Sequence, residues 1–311
     1  RRLPQDGRIS ISIGKREVDL RVSTLPSSFG ERVVLRILEK DKTHINLNDL
    51  GFSTETLDSF KKGLSKTEGI ILVTGPTGSG KTTSLYAGLK EISDRSQNIL
   101  TIEDPVEYAL DGIGQTQVNN KTGLTFAKGL RAILRQDPDI VMVGEIRDKE
   151  TAEIAIQASL TGHLVLSTVH TNSAVNAITR LRDMGIEPYL LSSSLVYVLS
   201  QRLVRKLCDK CKVIDDDPKS LKILEKYNIS DVIYKSCGCD ECEHTGFKGR
   251  LSVGEHILMD EKISDLIHKS ASENEIADYA YSNNKKLFEN GLLVLKDGKT
   301  SLSELLRITE D

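Results

Sequence analysis

Residues Ile70-Ile-Leu-Val-Thr74 run directly into Gly75-Pro-Thr-Gly-Ser-Gly-Lys-Thr82, and this junction decides how the chain is read. A continuous apolar strand meets the pattern G-x-x-x-x-G-K-[ST], and a helical segment follows to about Ile92. Gly75, Gly78 and Gly80 carry no Cβ, so backbone N–H groups can turn inward around a phosphate. Lys81 can reach the β- and γ-oxygens, and Thr82 can offer its hydroxyl to Mg²⁺. The helix N-terminus adds partial positive charge. Pro76, Thr77 and Ser79 complete the loop and Thr83 follows it, so all of Gly75–Thr83 is expected to contact nucleotide. The plain alternative is a glycine-rich turn without a ligand. Strand, spacing, lysine and threonine together argue against it.

Outward from this loop, Asn98-Ile-Leu-Thr-Ile102, Asp139-Ile-Val-Met-Val143 and His163-Leu-Val-Leu-Ser167 are further buried-strand candidates. Helical stretches such as Phe126–Arg135 and Lys149–Leu160 lie between them. Strands alternating with helices imply an α/β fold with a parallel sheet covered on both faces. Upstream, residues 8–13 and 18–22 alternate with period two, 33–38 is a third candidate strand, and together they predict a small β-containing domain over 1–38. The polar stretch 39–48 suits a linker, and the nucleotide-binding core is expected over 49–203. A cysteine-bearing subdomain over 204–259 and a helical region over 260–311 complete the division.

A phosphate cradle needs carboxylates to hold Mg²⁺ through water and to orient an attacking water. Two candidates stand at carboxyl ends of apolar strands, where open α/β sheets bind ligands. They are Thr101-Ile-Glu-Asp-Pro-Val-Glu107 and Ile140-Val-Met-Val-Gly-Glu-Ile-Arg-Asp148. Glu145 is expected to organise metal and water, with Glu103 as general base and Asp104 beside it; the two glutamate roles are not firmly divided by sequence. A lone acid at a strand end is otherwise a helix cap or a surface charge. His170, in Ser167-Thr-Val-His-Thr171, follows another apolar strand and is placed to sense the γ-phosphate. Its plain alternative is a satisfied structural histidine, and His163 is a weaker candidate.

At 311 residues the chain has room for two or three cores. Its 38% hydrophobic and 28% charged residues are ordinary for a globular protein. No run approaches the roughly 18–20 apolar residues of a membrane span, and nothing resembles a signal peptide. It opens on Arg1-Arg2 without an initiator Met and reads as a fragment. A net charge of −3 without a basic block argues against nucleic acid as a partner. Five cysteines without a secretory signal suit a reducing, cytoplasmic setting. Cys208-x-x-Cys211 and Cys239-x-x-Cys242 form two chelating pairs that predict a closed, structural Zn²⁺ site. Cys237 is a spare that could compete with Cys239.

With the loop, the two acidic segments and His170 in place, the chain resembles the secretion ATPase superfamily, whose members drive type II secretion and type IV pilus assembly. The segments look like that family's Walker A, Asp box, Walker B and His box, in that order. Leu130–Asp148, Thr161–Asn172 and Gln201–Cys211 also look like family segments, so the resemblance covers nearly the whole chain. Residues 178–194 look more like the type II secretion branch than the pilus-assembly branch. Residues 1–38 resemble the second half of a PAS-like domain that precedes a RecA-like motor in the family. The spacing Gly238-Cys239-x-x-Cys242 fits the family pattern better than one using Cys237. The resemblance also suggests nucleotide-facing arginines: Arg21 and Arg36 in the small domain, Arg131, Arg135 and Arg147 in the core, and Arg250. Arg21 and Arg36 could close over the nucleotide by domain rotation.

What the resemblance implies is Mg²⁺-dependent hydrolysis of ATP by a hexameric ring at the cytoplasmic face of a bacterial inner membrane. Pseudopilus assembly would be the work done. The implied partners are a polytopic platform protein and a single-pass recruiting protein, with recruitment depending on a more N-terminal domain that is absent. The rivals are the same motor on a type IV pilus, a RecA-like nucleic-acid translocase, and a nucleotide-gated scaffold that barely hydrolyses ATP.

Overall fold

The structure is a computed structural model that describes residues 3–13, 16–39 and 46–309. Three antiparallel strands open it: β1 (Gln5–Ile13), β2 (Arg16–Ser27) and β3 (Gly30–Glu39). Their register aligns Ile9, Leu20 and Ile37 on one face and sets Arg21 opposite Arg36 on the other. Most of the expected linker, residues 40–45, lies outside the described residues. Its far end is not linker-like, because Leu47 and Leu50 in the turn Leu47–Leu50 are buried in the core that follows.

The next elements alternate as the apolar pattern requires. They are α1 (Thr54–Leu64), β4 (Gly69–Thr74), α2 (Lys81–Ile92), β5 (Ile99–Glu103) and β6 (Gly114–Gln117). Then come α3 (Phe126–Ile133), β7 (Ile140–Val143), α4 (Lys149–Leu160), β8 (Leu164–Val169) and α5 (Ala174–Asp183). After α6 (Pro188–Ser194), β9 (Leu195–Leu207) runs for 13 residues. The cysteine-bearing stretch holds β10 (Val213–Ile214), α7 (Pro218–Lys226) and β11 (Tyr234–Lys235). It ends on β12 (Phe247–Leu258), and α8 (Glu261–His268), α9 (Glu273–Asn283), α10 (Leu287–Lys296) and α11 (Leu302–Thr309) complete the chain.

The main sheet has seven strands in the order β12-β9-β4-β8-β7-β5-β6, all parallel except β12. Alternation along β4 explains its two covers. Ile70 and Leu72 face a core shared with α3 to α6, α8 and α9, while Ile71 and Val73 face one shared with α1 and α2. The helices therefore hold the central strand from both sides, and its carboxyl end is fixed in place.

The expected boundary near residue 203 falls inside β9, which pairs along nearly its whole length with β12. Residues on either side of the cysteines thus complete the main sheet. The strand was concealed by Ser200-Gln-Arg202, three polar residues that are nevertheless buried behind the glycine loop. The last helices also divide. Ile263, Ile267 and Ile276 of α8 and α9 join the main core, while α7, α10 and α11 build a separate one around Val204, Val253 and Leu305. No described helix is long and apolar enough to cross a membrane.

Candidate active site

Parallel strands β4, β5, β7 and β8 end at one edge of the sheet, so the glycine loop, both acidic segments and His170 meet there. Gly75, Gly78 and Gly80 have φ of 145°, 80° and 89°, the region that suits glycine. A Cβ at Gly75 would come within 2.4 Å of the Gln201 carbonyl, so that residue is required by space as well as by backbone angle. Gln201 Nε2 in turn donates to Ser79 O at 2.7 Å, which makes β9 the floor of the loop. Thr82 and Thr83 lie half-buried in the first turn of α2.

Lys81 is 8% exposed, and its Nζ donates to Gly75 O at 2.9 Å and Pro76 O at 3.1 Å. Burial lowers its pKa, with the Glu145 charge opposing and Arg202 reinforcing the shift. Lys81 Nζ is 3.4 Å from His170 Nδ1, and His170 Nε2 is 3.4 Å from Glu145 Oε2. An ammonium beside Nδ1 favours the tautomer with the proton on Nε2, directed at the carboxylate. Burial and then Lys81 lower the His170 pKa, against the pull of Glu145. The three side chains form a line: cation, neutral imidazole, carboxylate.

The two glutamates are not equivalent. Glu145 sits just past β7, its Oε1 2.5 Å from Arg147 Nη2, and its buried Oε2 has no hydrogen bond. Glu103, at the end of β5, is 2% exposed. Its Oε1 accepts from Thr101 Oγ1 at 2.6 Å and Gln115 Nε2 at 3.2 Å, and its Oε2 accepts from the Tyr86 hydroxyl. Burial raises its pKa against these donors. Tyr86 belongs to α2 and also accepts from the Glu107 N–H at 3.3 Å. Glu103 therefore ties the loop helix to the acidic segment, whereas Glu145 keeps an oxygen available.

The remaining candidates scatter. Asp104 is exposed and lines a hollow of about 250 Å³ with Arg147, Asp148 and Glu150. Asp148 caps α4 by accepting from Thr151 N at 2.9 Å. Arg131 pairs with Glu150 at 2.7 Å, and Arg135 donates to Arg131 O at 2.8 Å, so both guanidinium groups are held by local partners. Arg250 is exposed on β12. His163 Nδ1 lies 2.9 Å from Ala158 O, a structural contact at the end of α4.

Sequence reasoning missed four contributors. Gln201 supports the loop, and Arg202 donates to Asn172 O at 3.1 Å, steadying the segment after His170. Tyr86 and Gln115 hold Glu103. A signal existed for the first two, since buried polar residues interrupting an apolar strand require partners. Nothing local marked Tyr86 or Gln115.

Orphaned polar atoms cluster around the cradle: the buried Ser79 Oγ, Gln201 Oε1 and Glu145 Oε2 have no hydrogen-bond partner. Unmet donors and acceptors beside inward-turned glycines fit a bound phosphate chain with Mg²⁺. The four cysteine sulfurs Cys208, Cys211, Cys239 and Cys242 all lie within 4.8 Å of one another. Sγ–Sγ separations are 3.9 Å for Cys208–Cys239 and 3.8 Å for Cys211–Cys242 and Cys239–Cys242. Sulfurs at about 2.3 Å around a tetrahedral ion stand about 3.8 Å apart, while a disulfide needs about 2.05 Å. The donor set fits Zn²⁺. Burial opposes ionisation of Cys242, but N–H donors from Cys239 and Gly246 help bring its pKa down to about 6. Exposed Cys237 is outside the cluster.

The type II secretion system ATPase E of Vibrio cholerae is 54% identical over 313 residues, covering 100% of this chain and 62% of that protein. Type II secretion system protein E of Pseudomonas aeruginosa is likewise 54% identical, with the same coverage. The chain thus spans about 62% of the length of these curated relatives. The crystal structure of the pilus retraction motor PilT with bound ADP superposes with a TM-score of 0.72 at 27% identity, covering 100% of this chain and 78% of that one. A family profile described as type II/IV secretion system protein matches residues 1–307. The chain belongs to the type II/IV secretion system protein family.

Proposed function

We propose that this chain is the Mg²⁺-dependent ATPase unit of a bacterial type II secretion system, converting ATP and water to ADP and phosphate. The observation that carries the reading is the line Lys81–His170–Glu145 beside a glycine cradle, with contacts of 3.4 Å and an unbonded oxygen on Glu145. Lys81 exchanges its two loop carbonyls for phosphate oxygens and neutralises charge developing on the γ-phosphoryl group. Glu145 Oε2 accepts the proton of the attacking water, and the 3.4 Å contact from His170 Nε2 helps to set the position of that carboxylate without occupying the oxygen. The Thr82 hydroxyl would hold Mg²⁺, which when bound would supply neutralisation of phosphate charge. Glu103 sets the spacing between loop helix and acidic segment instead of serving as base. A carboxylate enclosed by three donors and 2% exposed is shut off from water.

Arg21 and Arg36, opposite one another on β2 and β3, supply further positive charge when the small sheet closes over the nucleotide. In this reading six subunits form a ring, and its closures drive pseudopilus assembly through platform and recruiting proteins at the cytoplasmic face of the inner membrane. Lys81→Ala tests the reading against a nucleotide-gated scaffold. Phosphate release should fall at least about 100-fold; a protein whose turnover is slow and indifferent to this change is a scaffold. The pilus motor is the second reading, favoured by the superposition on PilT. Pull-down against the two apparatuses separates them: the secretion platform should be retained, and retention of the pilus platform alone reverses the assignment.

A further inference from the structure

Glu255 is a carboxylate of β12, 6% exposed, that belongs neither to the phosphate cradle nor to the cysteine cluster. Its Oε1 accepts from Ala174 N at 3.0 Å and from the Tyr281 hydroxyl at 2.7 Å, and its Oε2 accepts from Leu287 N at 3.0 Å. Ala174 and Leu287 are the first residues of α5 and α10. The positive ends of two helices and a phenol from α9 thus converge on one buried charge, the arrangement in which such hydrogen bonds are strongest.

This joint lies close to the phosphate edge. Only Thr171, Asn172 and Ser173 separate His170 from α5. Asn172 O accepts from Arg202 at 3.1 Å and from Ser200 Oγ at 3.4 Å. Ser200 is the β9 residue paired with Glu255, and the next residue, Gln201, holds Ser79 of the loop. One level of the β9–β12 pair therefore carries the glycine loop, the His170 segment and the last helices.

We infer that Glu255 is a positioning residue: it sets the start of α5, and through it His170, and it couples that segment to α9 and α10. The inference rests on the ATPase reading of the site. A glutamine at 255 keeps the shape but replaces one acceptor by an NH₂ group facing N–H or O–H donors, so one helix start is released. Tyr281→Phe removes only the phenol and leaves both backbone donors in place.

Turnover, affinity for a fluorescent ATP analogue, and hydrogen exchange should be measured on the full chain for wild type, Glu255→Gln and Tyr281→Phe. Glu255→Gln should lower kcat about tenfold or more with nucleotide affinity within about threefold, because a positioning defect acts on the transition state. Amides of 171–176 and 285–290 should gain exchange together. Tyr281→Phe should lower kcat about threefold and raise exchange at 171–176, although that segment is remote in sequence. A merely structural role would shift the unfolding temperature and leave kcat per folded molecule unchanged. Turnover of Glu255→Gln within twofold of wild type overturns the inference. Should that variant fail to fold, wild-type turnover and exchange in Tyr281→Phe overturn it instead. Wild-type protein without Lys81-dependent turnover would sink the ATPase reading, leaving the exchange comparison to decide the joint.

Discussion

Glu145 and Glu103 follow neighbouring strands of one sheet, yet their surroundings give them different chemistry. Glu103 has three side-chain donors around it, while Glu145 keeps Oε2 without a hydrogen bond. Sequence placed both at the correct edge because strand ends are legible from apolar runs. It could not see Tyr86 and Gln115, which reach Glu103 from 17 and 12 residues away. Another buried acid, Glu304 of α11, yields a pH prediction. Burial pushes its pKa up, but hydrogen bonds from Arg205 and Arg307 outweigh this and bring it down to about 2. The unfolded carboxyl titrates near about 4.3, so its contribution is fully present above that value and is lost as pH falls toward about 2. Unfolding followed from pH 6 to pH 2 should show Glu304→Gln less stable than wild type at the upper end, with the gap closing through the acid range. A gap constant across that range contradicts the assignment.

At the scale of elements, the cysteine spacing marked the right residues, since the two pairs bring their four thiols into one cluster. The boundaries of the elements around the cysteines were less so. β9 crosses from the main sheet toward the cluster, and β12 returns from it, so the four cysteines stand at one end of a strand pair whose middle floors the phosphate loop. Elemental analysis of freshly purified, unchelated protein should find one zinc per chain. Chelation under reducing conditions should lower the unfolding temperature and unfold the 208–246 segment first, seen as increased proteolysis there. Zinc-free protein with an unchanged melting curve would remove the metal from the structure.

For the whole molecule, the parallel α/β architecture was legible because β4, β5, β7 and β8 are apolar runs bounded by turns and separated by helices. The β9–β12 pair and the attachment of the last helices were not. Both depend on pairings more than 40 residues apart, such as Gln201 with Gly254, and on polar side chains whose burial only the fold explains. The small N-terminal sheet presents Arg21 and Arg36 at one register level, which gives the proposed closure over nucleotide a specific pair of charges. If the chain works as a ring, turnover per subunit should rise with protein concentration in step with mass measured by light scattering. Full activity per subunit in a strict monomer would sink the ring. Arg36→Ala should lower kcat about tenfold or more in the assembled form, up to the roughly 10³–10⁵ by which a supplied arginine can act.

Glu145, set beside His170 and Lys81, is the proposed base of an ATP-hydrolysing site. Phosphate release and ATP affinity of Glu145→Gln and Glu103→Gln, measured side by side, test it most directly. Glu145→Gln should bind ATP within about threefold of wild type and lose at least about 100-fold in turnover. Glu103→Gln should retain measurable turnover with reduced thermal stability. Wild-type turnover in Glu145→Gln, with turnover abolished in a stably folded Glu103→Gln, would contradict it.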